Sequence, residues 1–215
     1  MGPQPPDSSM TGAFITIDGP GGSGKTATTA ALAALLRSHS HIVHETAEPT
    51  KGPIGTLIRA MVNQLHGHAL ACLVAADRYH HLDTEIQPQR AAGHIVICDR
   101  YLASTLVLQA RDGLPVPYLL AVNDGIDLPD LAVILSATPD TITARLDQRG
   151  RHDRFEHHPD SARIETALFA DAAVTLVGMG VKVCHVDTGQ HTPPQAASQI
   201  AHALPASCAS LPSRG

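Results

Sequence analysis

The segment Gly19-Pro20-Gly21-Gly22-Ser23-Gly24-Lys25-Thr26 fits the pattern GxxxxGK[ST]. It lies between a short apolar, β-prone run, Ala13 to Asp18, and an Ala/Leu-rich stretch without a breaker from Lys25 to about His39. A strand, a glycine-rich turn and a helix in that order constrain the fold more than any other feature of the chain. Glycines let the backbone curl until several N–H groups converge on one point, and the start of the helix adds the positive end of its dipole. The product is a cradle for the phosphates of a nucleotide. Lys25 reaches the β and γ phosphates, and the Thr26 hydroxyl suits Mg²⁺. The chain has only three lysines, Lys25, Lys51 and Lys182, and one occupies this position.

The remaining pattern alternates strand and helix. Further strands are expected over Ile42 to Thr46, His94 to Cys98, Leu131 to Ser136 and Val181 to Val186. Helices are expected over Pro53 to Leu65, Ala69 to about Arg90, Leu102 to Ala110, Pro115 to Val122, Pro139 to Gln148 and about Asp160 to Val177, with a last one from near Pro193. Strands apolar on both faces and separated by helices imply a parallel sheet covered on both sides, an α/β fold. A chain of 215 residues suits one such domain. Residues 1–11 and 205–215, rich in Pro, Ser and Gly, read as a disordered leader and tail around a single domain over 12–204.

A net charge of -5 argues against a broad nucleic-acid surface. No run of about 18 apolar residues is present, so no membrane span is expected. The four cysteines, Cys72, Cys98, Cys184 and Cys208, form no CxxC pair, which suits free thiols in a reducing cytoplasm. Fourteen histidines include no HExxH or carboxylate-supported ligand set and read as surface residues by default, with His80 and His81, near Arg78, also placed where they could touch an acceptor site.

A cradle of this kind does not choose between kinase, GTPase and mechanical ATPase. A guanine-selecting N-K-x-D segment is absent. Asp99-Arg100-Tyr101 follows directly on the strand ending at Cys98. A carboxylate there can hold Mg²⁺ or orient an acceptor phosphate, and Arg100 can bridge the two phosphates. Asp18 ends the first strand and either faces the same region or orders the loop. Arg149, Arg151 and Arg154 fall within six residues beside Gly150. They read as a mobile lid over about 149–158 that brings positive charge to a phosphoryl group in transfer, or as a solvated loop. Glu48-Pro49 and Arg78 are further candidates for an acceptor site.

Taken together, these segments resemble the thymidylate kinase family over about residues 12 to 203. Phe14 to Thr26 resembles its opening strand and phosphate loop. Glu48-Pro49 through Gly52-Pro53-Ile54-Gly55 and Ile58-Arg59 resembles its EP…P-x-G…I-R stretch. Ala75-Ala76-Asp77-Arg78, Asp99-Arg100-Tyr101 with Ser104-Thr105 and Gln109, and Asp153-Arg154-Phe155-Glu156 resemble its helix, DRY and lid motifs. The resemblance implies a P-loop nucleoside monophosphate kinase fold with five parallel strands and a short lid. It implies transfer of the ATP γ-phosphate to dTMP, Mg²⁺ and a homodimer. By motif position it assigns Arg78 to the pyrimidine, Arg100 and Tyr101 to the acceptor side, and Thr105 and Gln109 to the base pocket. Asp99 joins the magnesium network, and Arg149 lies against the adenine. With no arginine in the phosphate loop and several in the lid, the chain resembles the bacterial type, in which Arg149, Arg151 and Arg154 supply the catalytic cation. Three positions depart from the family. Val74 stands where an aromatic residue often stacks on thymine, Leu108 where Tyr or Phe meets the deoxyribose, and Ala47 where an arginine binds the acceptor phosphate; Lys51 or Arg59 are candidates to replace the last. The acceptor is therefore open between dTMP and a different or modified pyrimidine deoxynucleotide. A nucleotide-binding protein without catalysis is the third alternative, opposed by intact Lys25, Asp99 and Arg100.

Overall fold

A computed structural model describes residues 12–205; the expected leader and nearly all of the expected tail, with Cys208, lie outside them. Five strands form one sheet in the order β2-β3-β1-β4-β5. They are β1 (Phe14–Asp18), β2 (Val43–Ala47), β3 (Ile95–Asp99), β4 (Leu131–Ser136) and β5 (Val183–Asp187). All neighbouring pairs are parallel. The α/β class and the strand number match the expectation; β4 has the expected bounds, and the other strands have ends displaced by no more than two residues.

Side-chain alternation splits the sheet into two cores. Phe14, Val96, Cys98, Ala132 and Ile134 face one side and pack against α5 (Leu102–Arg111) and α9 (Ser161–Gly178). Ile15, Ile17, Ile97, Val133 and Leu135 face the other, against α1 (Lys25–Ser38) and α10 (Pro193–Ala203). Burial on both faces explains why β1, β3 and β4 are almost uninterrupted apolar runs.

Between β2 and β3 lie α2 (Pro53–Met61), α3 (Gly67–His81) and α4 (Gln87–Ala91). The sequence predicts one helix from Ala69 to Arg90. The helix widens instead into a π turn over Leu82–Ile86, where the Gln87 N–H reaches Leu82 O, five residues back. Pro88 has no N–H to give, and the wider turn carries the chain past it. Helices α6 (Val116–Val122) and α7 (Pro139–Arg149) follow, and then a single turn, α8 (Arg154–His157). Among the described residues no helix is long and apolar enough to cross a membrane. Cys98 is buried and Cys184 half-buried, both as free thiols.

Candidate active site

The glycine-rich turn leaves β1 at its carboxyl end, where open α/β sheets gather their ligands. Gly24, at φ 87, occupies the N-cap of α1 without a side-chain cap. A left-handed backbone suits glycine there, and the uncapped first turn of α1 keeps its N–H groups for an anion. Lys25 Nζ folds back onto Gly19 O and Pro20 O, each at 2.8 Å. Burial, reinforced by Arg100 nearby, lowers its pKa to about 7.

Thr26 Oγ1 donates to Asp99 Oδ2 at 2.9 Å. The other oxygen, Asp99 Oδ1, is buried with no hydrogen-bond partner among the described residues. Thr26 and Asp99 line a cleft of about 630 Å³, whose walls also include Gly22, Lys25, Arg100, Arg145 and Arg149.

A second cavity, of about 140 Å³, lies on the far side of Arg100. Of the ten residues expected to bind the acceptor, Glu48, Arg59, Val74, Arg78, Arg100, Tyr101, Thr105, Leu108 and Gln109 line it. Asp18 does not. It is buried under the start of α5, where Oδ1 accepts from Tyr101 N, Ser104 N and Ser104 Oγ at 3.0, 3.0 and 2.6 Å. Three donors at the start of α5 hold Oδ1 inward, while Oδ2 is buried with no hydrogen-bond partner among the described residues. Arg100 itself has φ 72, a left-handed conformation that costs a non-glycine residue about 1 kcal/mol. Strain of this kind is typically retained at functional sites, and here it sets the Arg100 side chain in the wall shared by both cavities.

The smaller cavity has a polar and an apolar side. Arg78 is buried at 1 % exposure and is held by Glu48, Asn123 and Thr105, with its guanidinium 4.8 Å from the Tyr101 ring centroid. His81, expected on the surface, is buried beside it, with Nδ1 3.3 Å from Glu48 Oε1 and Nε2 2.8 Å from Thr46 Oγ1. Ile58, Leu70, Val74, Leu108 and Phe155 form the apolar side. The Glu48–Pro49 peptide is cis, and Arg59 binds Pro49 O and Thr50 O at 2.6 and 2.5 Å.

The three clustered arginines separate. Arg149 borders the larger cleft, beside the glycine-rich turn, and pairs with Glu156. Arg151 turns to Asp147 Oδ1 at 2.8 Å and to Glu156 O. Arg154 turns to Asp112, at 2.5 and 2.6 Å, and to Val62 O at 2.9 Å. Each guanidinium goes to its own carboxylate, and of the three only Arg149 lines the larger cleft.

Motif reading does not flag Phe155, Glu156, Asp112 or Arg145 as site residues. Asp153-x-x-Glu156 has the spacing of a helix capping box, and Asp153 Oδ1 does accept from Phe155 N and Glu156 N. Arg145 lies one helical turn before Arg149 on α7, on the same face, and bonds Gly22 O and Thr188. No local signal joins Asp112 to Arg154, 42 residues apart.

The family model described as thymidylate kinase matches residues 17–179. A probable thymidylate kinase of Caldivirga maquilingensis is 36% identical over 154 residues, covering 70% of this chain and 75% of the relative. That of Pyrobaculum aerophilum is 34% identical, covering 75% and 83%. The thymidylate kinase of Xanthomonas campestris pv. campestris is 38% identical over 172 residues, covering 79% and 75%. A glycine-rich phosphate cradle and a second cavity that meet at Arg100 agree with these matches: the chain belongs to the thymidylate kinase family, enzymes that phosphorylate dTMP to dTDP.

Proposed function

We propose that this chain, as one catalytic domain over 12–204, transfers the γ-phosphoryl group of Mg-ATP to the phosphate of dTMP. The observation that carries the reading is Arg100, which lies in the wall of both cavities and is therefore within reach of donor and acceptor phosphates together. Phosphoryl transfer needs little covalent help from a protein and depends on alignment and on charge set against the equatorial oxygens.

The donor phosphates rest on the N–H groups of Gly19 to Thr26, and Lys25 exchanges its two carbonyl partners for phosphate oxygens. A magnesium ion suits the Thr26 hydroxyl and the Asp99 carboxylate, an all-oxygen set in which Asp99 Oδ1 has no other partner among the described residues. When bound it neutralises charge on the β and γ phosphates. Of the two roles the resemblance implies for Arg149, a contact with the adenine and the cation of a bacterial-type lid, we assign it the second. Arg151 and Arg154 hold the lid segment in place through Asp147 and Asp112. Arg78, Thr105 and Gln109 meet the polar edge of the base, and Val74, Leu108 and Phe155 surround its apolar parts. Arg59 stands in for the arginine that Ala47 replaces. The enzyme acts as a homodimer in the cytoplasm and does not require nucleic acid.

Turnover of a panel of nucleoside monophosphates tests this. An apolar wall facing the 5-methyl group favours dTMP over dUMP by about tenfold or more in kcat/KM. No ADP formation with any pyrimidine nucleotide overturns the reading. A 5-substituted analogue or dCMP ranking above dTMP transfers it to another pyrimidine, as the absence of an aromatic ring at Val74 permits.

A further inference from the structure

Helix α8 is one turn long, and its two central residues face different sites. Phe155 lines the acceptor cavity, packed with Ile58 and Leu70. Its ring is fixed by guanidinium groups, Arg154 at 4.0 Å and Arg111 at 5.3 Å from the centroid. Glu156, the next residue, turns toward the donor side. Both of its carboxylate oxygens lie on Arg149 Nη2, at 2.8 and 2.7 Å, and Oε2 also accepts the His152 N–H at 2.9 Å. The side chain is only 6% exposed, whereas that of Arg149 is 44% exposed.

Glu156 also touches the phosphate loop. A Cβ added at Gly21 would fall 2.7 Å from Glu156 Oε1. The carboxylate thus sits over the loop backbone in space that only glycine leaves. Beside it, Glu165 Oε2 accepts the Gly21 N–H at 3.0 Å, and Arg111 pairs with Glu165 while bonding Phe155 O. The acceptor wall, the lid arginine and the phosphate loop therefore converge on adjacent residues of one rigid turn. Displacing Phe155 displaces Glu156.

We propose that α8 couples the two substrate sites: Glu156 is a positioning residue that aims Arg149 along the donor cleft, and Phe155 sets Glu156 from the acceptor side. This rests on the reading of Arg149 as the cation that meets the transferred phosphoryl group. Acceptor binding then does more than supply the nucleophile, because a base seated against Phe155 fixes the turn that holds Arg149. Water, which makes no contact with Phe155, does not complete the arrangement.

Steady-state kinetics of Arg149→Ala, Glu156→Gln, Glu156→Asp and the double variant Arg149→Ala/Glu156→Gln test it, with Phe155→Leu alone and in the Glu156→Gln background. Misplacing a catalytic cation without removing it lowers kcat on the order of tenfold. Glu156→Gln is expected to do so with KM for dTMP nearly unchanged, and Glu156→Asp to recover part of the loss. The double variant should match Arg149→Ala, since the two residues act as one unit. Phe155→Leu should lower kcat in the parent and not in the Glu156→Gln background. A kcat for Glu156→Gln equal to that of the parent, or losses that multiply in the double variant, overturns the coupling while leaving Arg149 its role. An unchanged kcat in Arg149→Ala overturns both.

Discussion

Arg78 gives two donors, Nε and Nη2, to a single oxygen of Glu48, Oε2, at 3.0 and 2.7 Å, and leaves Oε1 to His81 at 3.3 Å. Nη1 goes to Asn123 Oδ1 at 2.6 Å. Both members of the pair are buried, so each depends on the other for its charge. Removing one partner of a buried pair costs about 3–5 kcal/mol, whereas replacing both with apolar residues of similar volume costs far less. Glu48→Gln should therefore lower the free energy of urea unfolding by about 3 kcal/mol. The double variant Glu48→Leu/Arg78→Met should unfold later than the weaker single variant while losing dTMP turnover. A double variant less stable than either single one would show that the surrounding shell, and not the charge pair, sets the cost.

Arg154 and Asp112 make the same argument at the edge of the lid. The guanidinium binds both Asp112 oxygens and lies 4.0 Å from the Phe155 ring centroid, so this pair fixes α8 against the end of α5. Loosening it acts on the acceptor side. Arg154→Ala and Asp112→Asn should each raise KM for dTMP by about tenfold, the equivalent of a charge-assisted contact, with KM for ATP unchanged. The double variant should be no worse than the single ones. A KM for ATP that rises instead would return Arg154 to the donor cleft.

The sequence made the sheet and the phosphate cradle readable because both are local. A β-prone run, a glycine pattern and an unbroken helix stand next to one another from Ala13 to Ser38, and burial on both faces marks β3 and β4 as apolar runs. The acceptor cavity was readable only by motif position, yet nine of its expected residues line it. What escaped depends on contacts distant in sequence. Arg151 and Arg154 look identical to Arg149 in a charged segment; their carboxylates, Asp147 and Asp112, decide which way each turns. Asp18 reads as a site residue because it ends β1, and only the packing of α5 shows that the start of this helix engages its Oδ1. His81 is polar by composition but buried by its place between Glu48 and Thr46. The π turn at Leu82–Ile86, just before Pro88, is a local widening that helix propensity alone does not specify.

Glu156 gives a pH dependence with a definite sign. Burial pushes its carboxyl up, but the His152 N–H and Arg149 outweigh burial, and the folded pKa lies below the ordinary 4.5. A carboxylate depressed in the folded state stabilises fully above its unfolded value and loses that contribution as pH falls through the folded value. Stability measured by denaturant titration should therefore drop more steeply below about pH 4.5 in the parent than in Glu156→Gln. The two should differ most near neutrality and converge in acid. A gap between them that is independent of pH would mean that the carboxylate charge is not what matters.

Gly55 lies on the buried face of α2, where alanine would ordinarily favour the helix by about 1 kcal/mol. A Cβ there would fall 2.0 Å from Thr50 O and 2.4 Å from Thr50 N. The Thr50 backbone cannot give way easily, because its N–H and hydroxyl bind Asp77 at 2.7 and 2.6 Å and its carbonyl binds Arg59 at 2.5 Å. Overpacking against a fixed backbone costs about 1–3 kcal/mol, so the clash outweighs the propensity. Gly55→Ala should lose about 2 kcal/mol in urea unfolding and raise KM for dTMP, because relief comes by moving the loop that carries Glu48, Pro49 and Thr50, to which Arg59 of α2 is bonded. Gly178→Ala is the matched control: nothing lies within 4 Å of its Cβ, and it should leave stability unchanged or raise it by a few tenths of a kcal/mol. A Gly55→Ala protein as stable as that control, with an unaltered KM, would show that α2 can shift away from the loop without disturbing the acceptor cavity.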